Sequence, residues 1–241
     1  MSTKASTITV SGMRVEIVRK AIKNLHLGVY PPNGRVRVAA PLAVNDDAVR
    51  LAVVTRLSWI KRQQAGFHRQ ERQSERRYVS GETHFVFGRR YRLRVVEHDG
   101  PASVRTTSPT TLTLTVKRGS DLAKREKAVL DWYRLHLRTA AGPLVSKWAE
   151  FIGVAEPQWG IKRMKTKWGS CSTASRRIWL NLELAKKPPQ CLEYIVVHEL
   201  SHLIERKHNE RFVKLLDRHL PNWRTVRDEL NAATLKHENW A

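Results

Sequence analysis

Apolar and polar residues alternate along the first 120 positions. Between residues 8 and 41 the register is carried by Val15 and Ile17, then by Arg35-Val36-Arg37-Val38, around Pro31-Pro32-Asn33-Gly34. A period of two on either side of a turn predicts a β-hairpin. At Asp46 or Asp47 the spacing lengthens, and Val49, Leu51, Val53, Leu57, Trp59 and Ile60 predict a helix that runs on through a polar stretch to near Arg77. Strands are predicted again over 83–96 and 112–116. In the first of these, His84-Phe85-Val86-Phe87 and Tyr91-Arg92-Leu93-Arg94-Val95 bracket Gly88-Arg89-Arg90.

The pattern changes after Gly119. Asp121 is placed to cap a long helix bearing Ala128, Val129, Trp132, Leu135, Leu144, Val145 and Trp148, interrupted near Gly142-Pro143 and ending around Gly153. Two strands follow, over 160–167 and 177–182, separated by a turn at Trp168-Gly169-Ser170-Cys171-Ser172. Pro188-Pro189 then suit a helix start, and Leu192, Ile195, Val196, Val197, Leu200, Leu203 and Ile204 place apolar residues on nearly every side, so that helix is predicted to be buried. A terminal helix is predicted over 222–235. The fold class expected is α+β: a β-rich N-terminal region with one long helix at 1–120, then a small domain at 121–241 of helix, strands, buried helix and closing helix.

The buried helix carries His198-Glu199-Leu200-Ser201-His202. At about 3.6 residues per turn the two imidazoles leave one face one turn apart and can converge on a single ion. Glu199 points to a neighbouring side, where a carboxylate can reach a water instead of the metal, the position a general base requires. A tetrahedral catalytic zinc takes three protein ligands and keeps one place open. His208 is the first choice for the third, provided the chain turns at Arg206-Lys207-His208-Asn209 and Asn209 caps a helix containing Phe212, Val213, Leu215 and Leu216. His219, Asp217, Asp228 and Glu229 are the rivals. Three polar side chains without partners in an apolar helix would cost several kcal/mol, and metal ligation is the simplest compensation.

The charge adds a second theme. The chain has 241 residues with 44 Lys and Arg against 22 Asp and Glu, a net charge of +22. That is far more than solubility needs and suggests a polyanionic neighbour such as nucleic acid, bound without sequence preference. Arg90, Arg92 and Arg94 share one strand face by two-residue alternation. The first thirty residues hold no long apolar run, and no membrane partner is expected. Two cysteines, Cys171 and Cys191, are too few for a disulfide scaffold, and a cytoplasmic location is expected.

Lys165-Thr166-Lys167-Trp168-Gly169-Ser170-Cys171-Ser172, Leu180-Asn181, Val196-Val197-His198-Glu199-Leu200-Ser201-His202 and His208 closely resemble the YgjP-like metallopeptidase family. The resemblance extends upstream through Tyr30-Pro31-Pro32-Asn33-Gly34, Trp59-Ile60 and Gly88-Arg89-Arg90-Tyr91. It implies a zincin-type, zinc-dependent peptidase related to SprT-like proteases, with His198, His202 and His208 as metal ligands, Glu199 as base and a peptide or protein as substrate. By the same resemblance, the strand at 178–182 would be an edge that pairs with an extended substrate. The rival from another class is a nucleic-acid-binding protein in which zinc staples the fold, and a closed fourth ligand would favour it. A cysteine hydrolase using Cys171 lacks a nucleophile context.

Overall fold

The computed structural model describes residues 5–30, 34–69, 76–164 and 167–232. The chain separates into two compact units that divide between residues 74 and 75.

The first unit is a four-stranded sheet with two helices. Strands β1 (Ala5–Val10) and β2 (Met13–Lys20) form one antiparallel hairpin, and β3 (His26–Tyr30) and β4 (Arg35–Pro41) form another; a parallel β2–β4 pairing joins them in the order β1-β2-β4-β3. Residues 31–33 of the predicted turn lie outside the described residues. Val15, Ile17, Val36 and Val38 from the sheet and Val49, Val53 and Ile60 from the helices make its core. The helical stretch is two helices, α1 (Asp46–Val54) and α2 (Leu57–Arg69). Asn45 caps α1 by accepting from the Ala48 amide. At the break, the Thr55 hydroxyl donates to the Leu51 carbonyl at 3.0 Å, a side-chain bond that competes with the helical ladder. Residues 76–79 are not helical.

The second unit begins with strands β5 (Thr83–Val86), β6 (Arg89–Glu97), β7 (Ser103–Ser108) and β8 (Thr111–Val116), in sheet order β5-β6-β8-β7. The sequence pattern missed β7 because it has one apolar residue, Val104, and so no alternation to display. Leu93, Leu112, Leu114 and Val116 on the sheet's inner face share one continuous core with Val129, Tyr133 and Leu137 of helix α3 (Leu122–Ile152). That shared core places the division near residue 75 and not near 120: the change of pattern after Gly119 marks a change of element inside one unit.

Helix α3 runs unbroken through Pro143, contrary to the predicted interruption. Pro143 and Thr139 are both exposed, so the hydrogen bond that proline removes is lost on the water-facing side, where solvent can replace it. Asp121 caps the helix and Gly153 ends it in the left-handed conformation, φ 80°.

Strands β9 (Gln158–Lys162), β10 (Gly169–Ser172) and β11 (Arg177–Asn181) form a small sheet in the order β10-β11-β9. The stretch expected to be a turn is thus strand β10, and β11, expected at the edge, is central. Asn181 is fully buried, and its side-chain amide donates at 2.8 Å to the carbonyls of Met164 and Lys167, pinning the loop that leads into β10.

A 3₁₀ turn over Leu182–Lys186 then feeds helix α4 (Pro189–Ser201). The tip of the β5–β6 hairpin seats this start: the Phe87 amide donates to the Ala185 carbonyl at 2.8 Å, and Gly88, at φ 81°, lies so near Pro188 that a Cβ would sit 3.0 Å from its ring. Inside the turn, Lys186 and Glu183 form a buried ion pair at 2.7 Å. Helices α5 (Glu210–His219) and α6 (Trp223–Ala232) pack on α4. The predicted end of the terminal helix, Leu235, lies outside the described residues.

Candidate metal centre

Helix α4 is buried on almost every side, by Cys191, Leu192, Ile195, Val196, Val197 and Leu200. His198 and His202 leave it one turn apart. His202 is the C-cap residue but keeps helical dihedrals, φ −66° and ψ −19°, so the one-turn spacing survives to the end. The chain then turns, and Asn209 caps α5 by accepting from the Phe212 amide at 3.1 Å. His208, immediately before that cap, swings back. Its Nε2 lies 3.2 Å from Nε2 of His198 and 3.0 Å from Nε2 of His202.

These spacings fit a metal. With Zn–N bonds of about 2.0–2.1 Å, tetrahedral geometry separates two ligand nitrogens by roughly 3.3 Å. The protonation fits too. His202 Nδ1 is 3.1 Å from the Glu205 carbonyl, which must accept its proton, leaving Nε2 as a lone pair aimed at the other two. Burial and the two neighbouring imidazoles push His198 down to about 3, and burial lowers His202 as well, so both stay neutral and able to ligate. Phe212 forms the floor beneath the cluster: its ring stacks on His202 at 4.6 Å and meets His198 and His208 edge-on at 5.0 and 4.8 Å.

The rival ligands are elsewhere. His219 closes α5 and packs edge-on against Phe151, Asp217 bonds Trp223 and Arg224, Asp228 pairs with Arg227, and Glu229 accepts from Gln190. Among the described residues, His198, His202 and His208 form a group of three able to hold an ion, and no fourth His, Cys, Asp or Glu joins it.

Glu199 is 4% exposed, and its Oε2 is buried without a hydrogen-bond partner. Desolvation pushes its carboxyl up to about 8, against the pull of Lys167. A cation held by the histidines would favour the carboxylate. Glu199 and the histidines line an open cleft of about 760 Å³, walled on one side by residues 167–174 and on another by Tyr194, Arg206, Arg227 and Asn231. Gly169 is in strand β10 because of Glu199: a Cβ there would lie 2.5 Å from the carboxylate Oε1. Cys171 also lines the cleft, but burial and Glu199 push its thiol up to about 11, which keeps it protonated and poorly nucleophilic. Sequence reasoning gave no site role to Phe212, Tyr194 or Arg227. Phe212 and Tyr194 carry apolar periodicity like any core residue, and Arg227 is one arginine among many.

A buried helix bearing two histidines and a glutamate, with a third histidine returned to it by a capped turn, is the frame of a metallopeptidase. The chain belongs to the YgjP-like family, whose metallopeptidase domain matches residues 23–233, and it is a metal-dependent peptidase acting on peptide or protein. Among solved structures, the chain is similar to the metallopeptidase zymogen abylysin of Pyrococcus abyssi, with 18% identity over 41% of this chain and 99% of that one and a TM-score of 0.38. It is also similar to the zymogen jannalysin of Methanocaldococcus jannaschii, with 21% identity over 37% and 92% and a TM-score of 0.35. A search of the curated proteins finds no match. No helix among the described residues is long and apolar enough to cross a membrane.

Proposed function

We propose that the protein is a zinc-dependent peptidase in which His198, His202 and His208 hold the ion and Glu199 is the general base. The observation that carries this reading is the convergence of three imidazole nitrogens within 4.8 Å beside a buried, unpartnered carboxylate. Zinc bound there supplies Lewis acidity, which lowers the pKa of a water to about 7 and polarises the scissile carbonyl. Glu199, kept from other partners by burial, takes the water's proton and returns it to the leaving amine. Strand β10 has β11 on one side and the cleft on the other, so its free backbone edge is placed to pair with an extended peptide. The two free cysteines fit the cytoplasmic setting expected from the sequence. Among the described residues no fourth protein ligand joins the three histidines, which leaves one position open and supports a catalytic ion over a structural staple.

The test is Glu199→Gln. Elemental analysis should find zinc retained near one per chain, while peptide hydrolysis falls by about 10²–10⁴. Undiminished hydrolysis would remove Glu199 from the mechanism.

A further inference from the structure

The excess of positive charge has a definite place in the fold. On the sheet of β5 to β8, the inner positions Tyr91, Leu93, Leu112, Leu114 and Val116 are buried and the outer positions alternate with them. Pairing aligns the outer residues into rows: Thr83, Arg92 and Thr111 across one line, and Arg94, Thr113 and Arg105 across the next. Thr107 belongs to the same face, since its hydroxyl lies 2.8 Å from that of Thr113. All four arginines, Arg90, Arg92, Arg94 and Arg105, are exposed. Apart from Phe85 and Val96, the outer positions hold only arginine, threonine and serine, with no carboxylate among them.

Those arginines are not neutralised locally. Arg92 donates to the Gly81 carbonyl, and Arg90, Arg94 and Arg105 have no ion pair among the described residues. The sheet of the first unit differs: there Glu16 lies 3.7 Å from both Arg35 and Arg37. Arginine beside hydroxyl donors is the side-chain set that contacts phosphate oxygens, and alternate residues of a strand recur roughly every 6.7 Å, the scale of successive phosphates along a nucleic-acid strand. A solvated face that only needed solubility would mix both signs of charge.

We propose that this outer sheet face binds the phosphodiester backbone of nucleic acid, without reading its sequence. The face is turned away from the metal helix. Helix α3 lies against the sheet's inner side and itself packs on α4, so the surface and the hydrolytic centre are separate features of one unit.

The test compares the full chain with two triple variants of equal charge change. Arg90→Thr, Arg94→Thr and Arg105→Thr together remove three face arginines that make no internal ion pair. Arg211→Gln, Lys214→Gln and Arg218→Gln remove three exposed charges from α5. Fluorescence anisotropy with a 20-base-pair duplex and a 20-nucleotide single strand is read between 50 and 200 mM salt. Losing three phosphate contacts should lower the logarithmic salt slope on the duplex by about 2.7, which takes roughly 40-fold out of the wild-type affinity drop over that range. The α5 variant should keep the wild-type slope. Zinc content and peptide cleavage should be unchanged in the sheet variant, which shows that its fold is intact. The proposal is overturned by absence of wild-type binding at 50 mM salt, or by equal loss in the two variants. It is also overturned if poly-glutamate binds as tightly and with the same dependence on the sheet arginines.

Discussion

Gly169→Ala tests whether the placement of Glu199, and not merely its presence, sets the rate. Gly169 is not in the left-handed region, so the backbone accepts alanine, and the whole effect is steric. The new Cβ would lie 2.5 Å from Oε1, 2.8 Å from Cγ and 2.9 Å from Cδ of Glu199. To restore an ordinary contact of 3.4 Å the carboxylate must retreat by about 0.9 Å. At 4% exposure it has little free space to enter, and Cγ is crowded as well as the terminus, so a simple rotation does not relieve the clash. A displacement near 1 Å of a catalytic group costs about 10²-fold, or roughly 2.7 kcal/mol of transition-state stabilisation. Overpacking should also lower stability by about 1–3 kcal/mol.

The assay is kcat/KM on a peptide, with zinc content and thermal unfolding measured on the same preparations. Zinc should stay near one per chain, because the three atoms nearest the new methyl group all belong to Glu199 and none to a histidine. A double-mutant cycle isolates the cause: in a Glu199→Ala background the Cβ meets no carboxylate, and Gly169→Ala should cost nothing further. Wild-type kcat/KM in Gly169→Ala, or the same fractional loss in both backgrounds, would refute the reasoning.

Two other outcomes follow from the geometry. His208→Ala should weaken zinc retention strongly while His219→Ala leaves it unchanged, measured by competition with a chelator; the reverse result would move the third ligand to α5. His84 is 1% exposed, and burial with the charges of Arg76 and Lys186 holds it down to about 3, outweighing Glu82 at 3.4 Å, whose carboxylate already accepts from the Arg77 and Tyr78 amides. In the unfolded chain the same imidazole takes a proton near pH 6.5, so the unfolded state binds more protons below that pH. Stability should therefore fall as pH drops from about 6.5 towards 3, and His84→Gln should flatten that part of a denaturation series; an unchanged slope would mean that His84 is not the buried titrating group.

The metal helix was legible because its information is local. Two prolines, an apolar run and histidines four apart all act within one element, and the Asn209 cap that returns His208 lies within one turn of it. Strand β10 was not legible for the opposite reason. A glycine between Trp168 and Ser170 reads equally well as a turn residue or as a strand residue that something must approach closely, since both need only the absence of a Cβ. What decides between them is Glu199, thirty positions later, and no periodicity within residues 168–172 reports it. The misplacement of the edge strand follows from the same blindness: β11 stands out as a strand through Ile178, Trp179 and Leu180, while the true edge, Gly169–Ser172, has no apolar rhythm to show.

The domain boundary fails on a related point. Composition changes where secondary structure changes, but a compact unit ends where contacts stop, and the β5–β8 sheet has contacts that the N-terminal half alone does not supply. Its inner leucines and valines need α3 to cover them, and its hairpin tip holds the start of α4 through the Ala185 carbonyl and the close approach of Gly88 to Pro188. A sheet assigned to a separate N-terminal domain would be dispensable to the metal centre. In this arrangement it sets the direction in which α4 leaves the 3₁₀ turn, so the clustered histidines depend on residues a hundred positions upstream, while the sheet's opposite face stays free to carry arginines that the histidine cluster never meets.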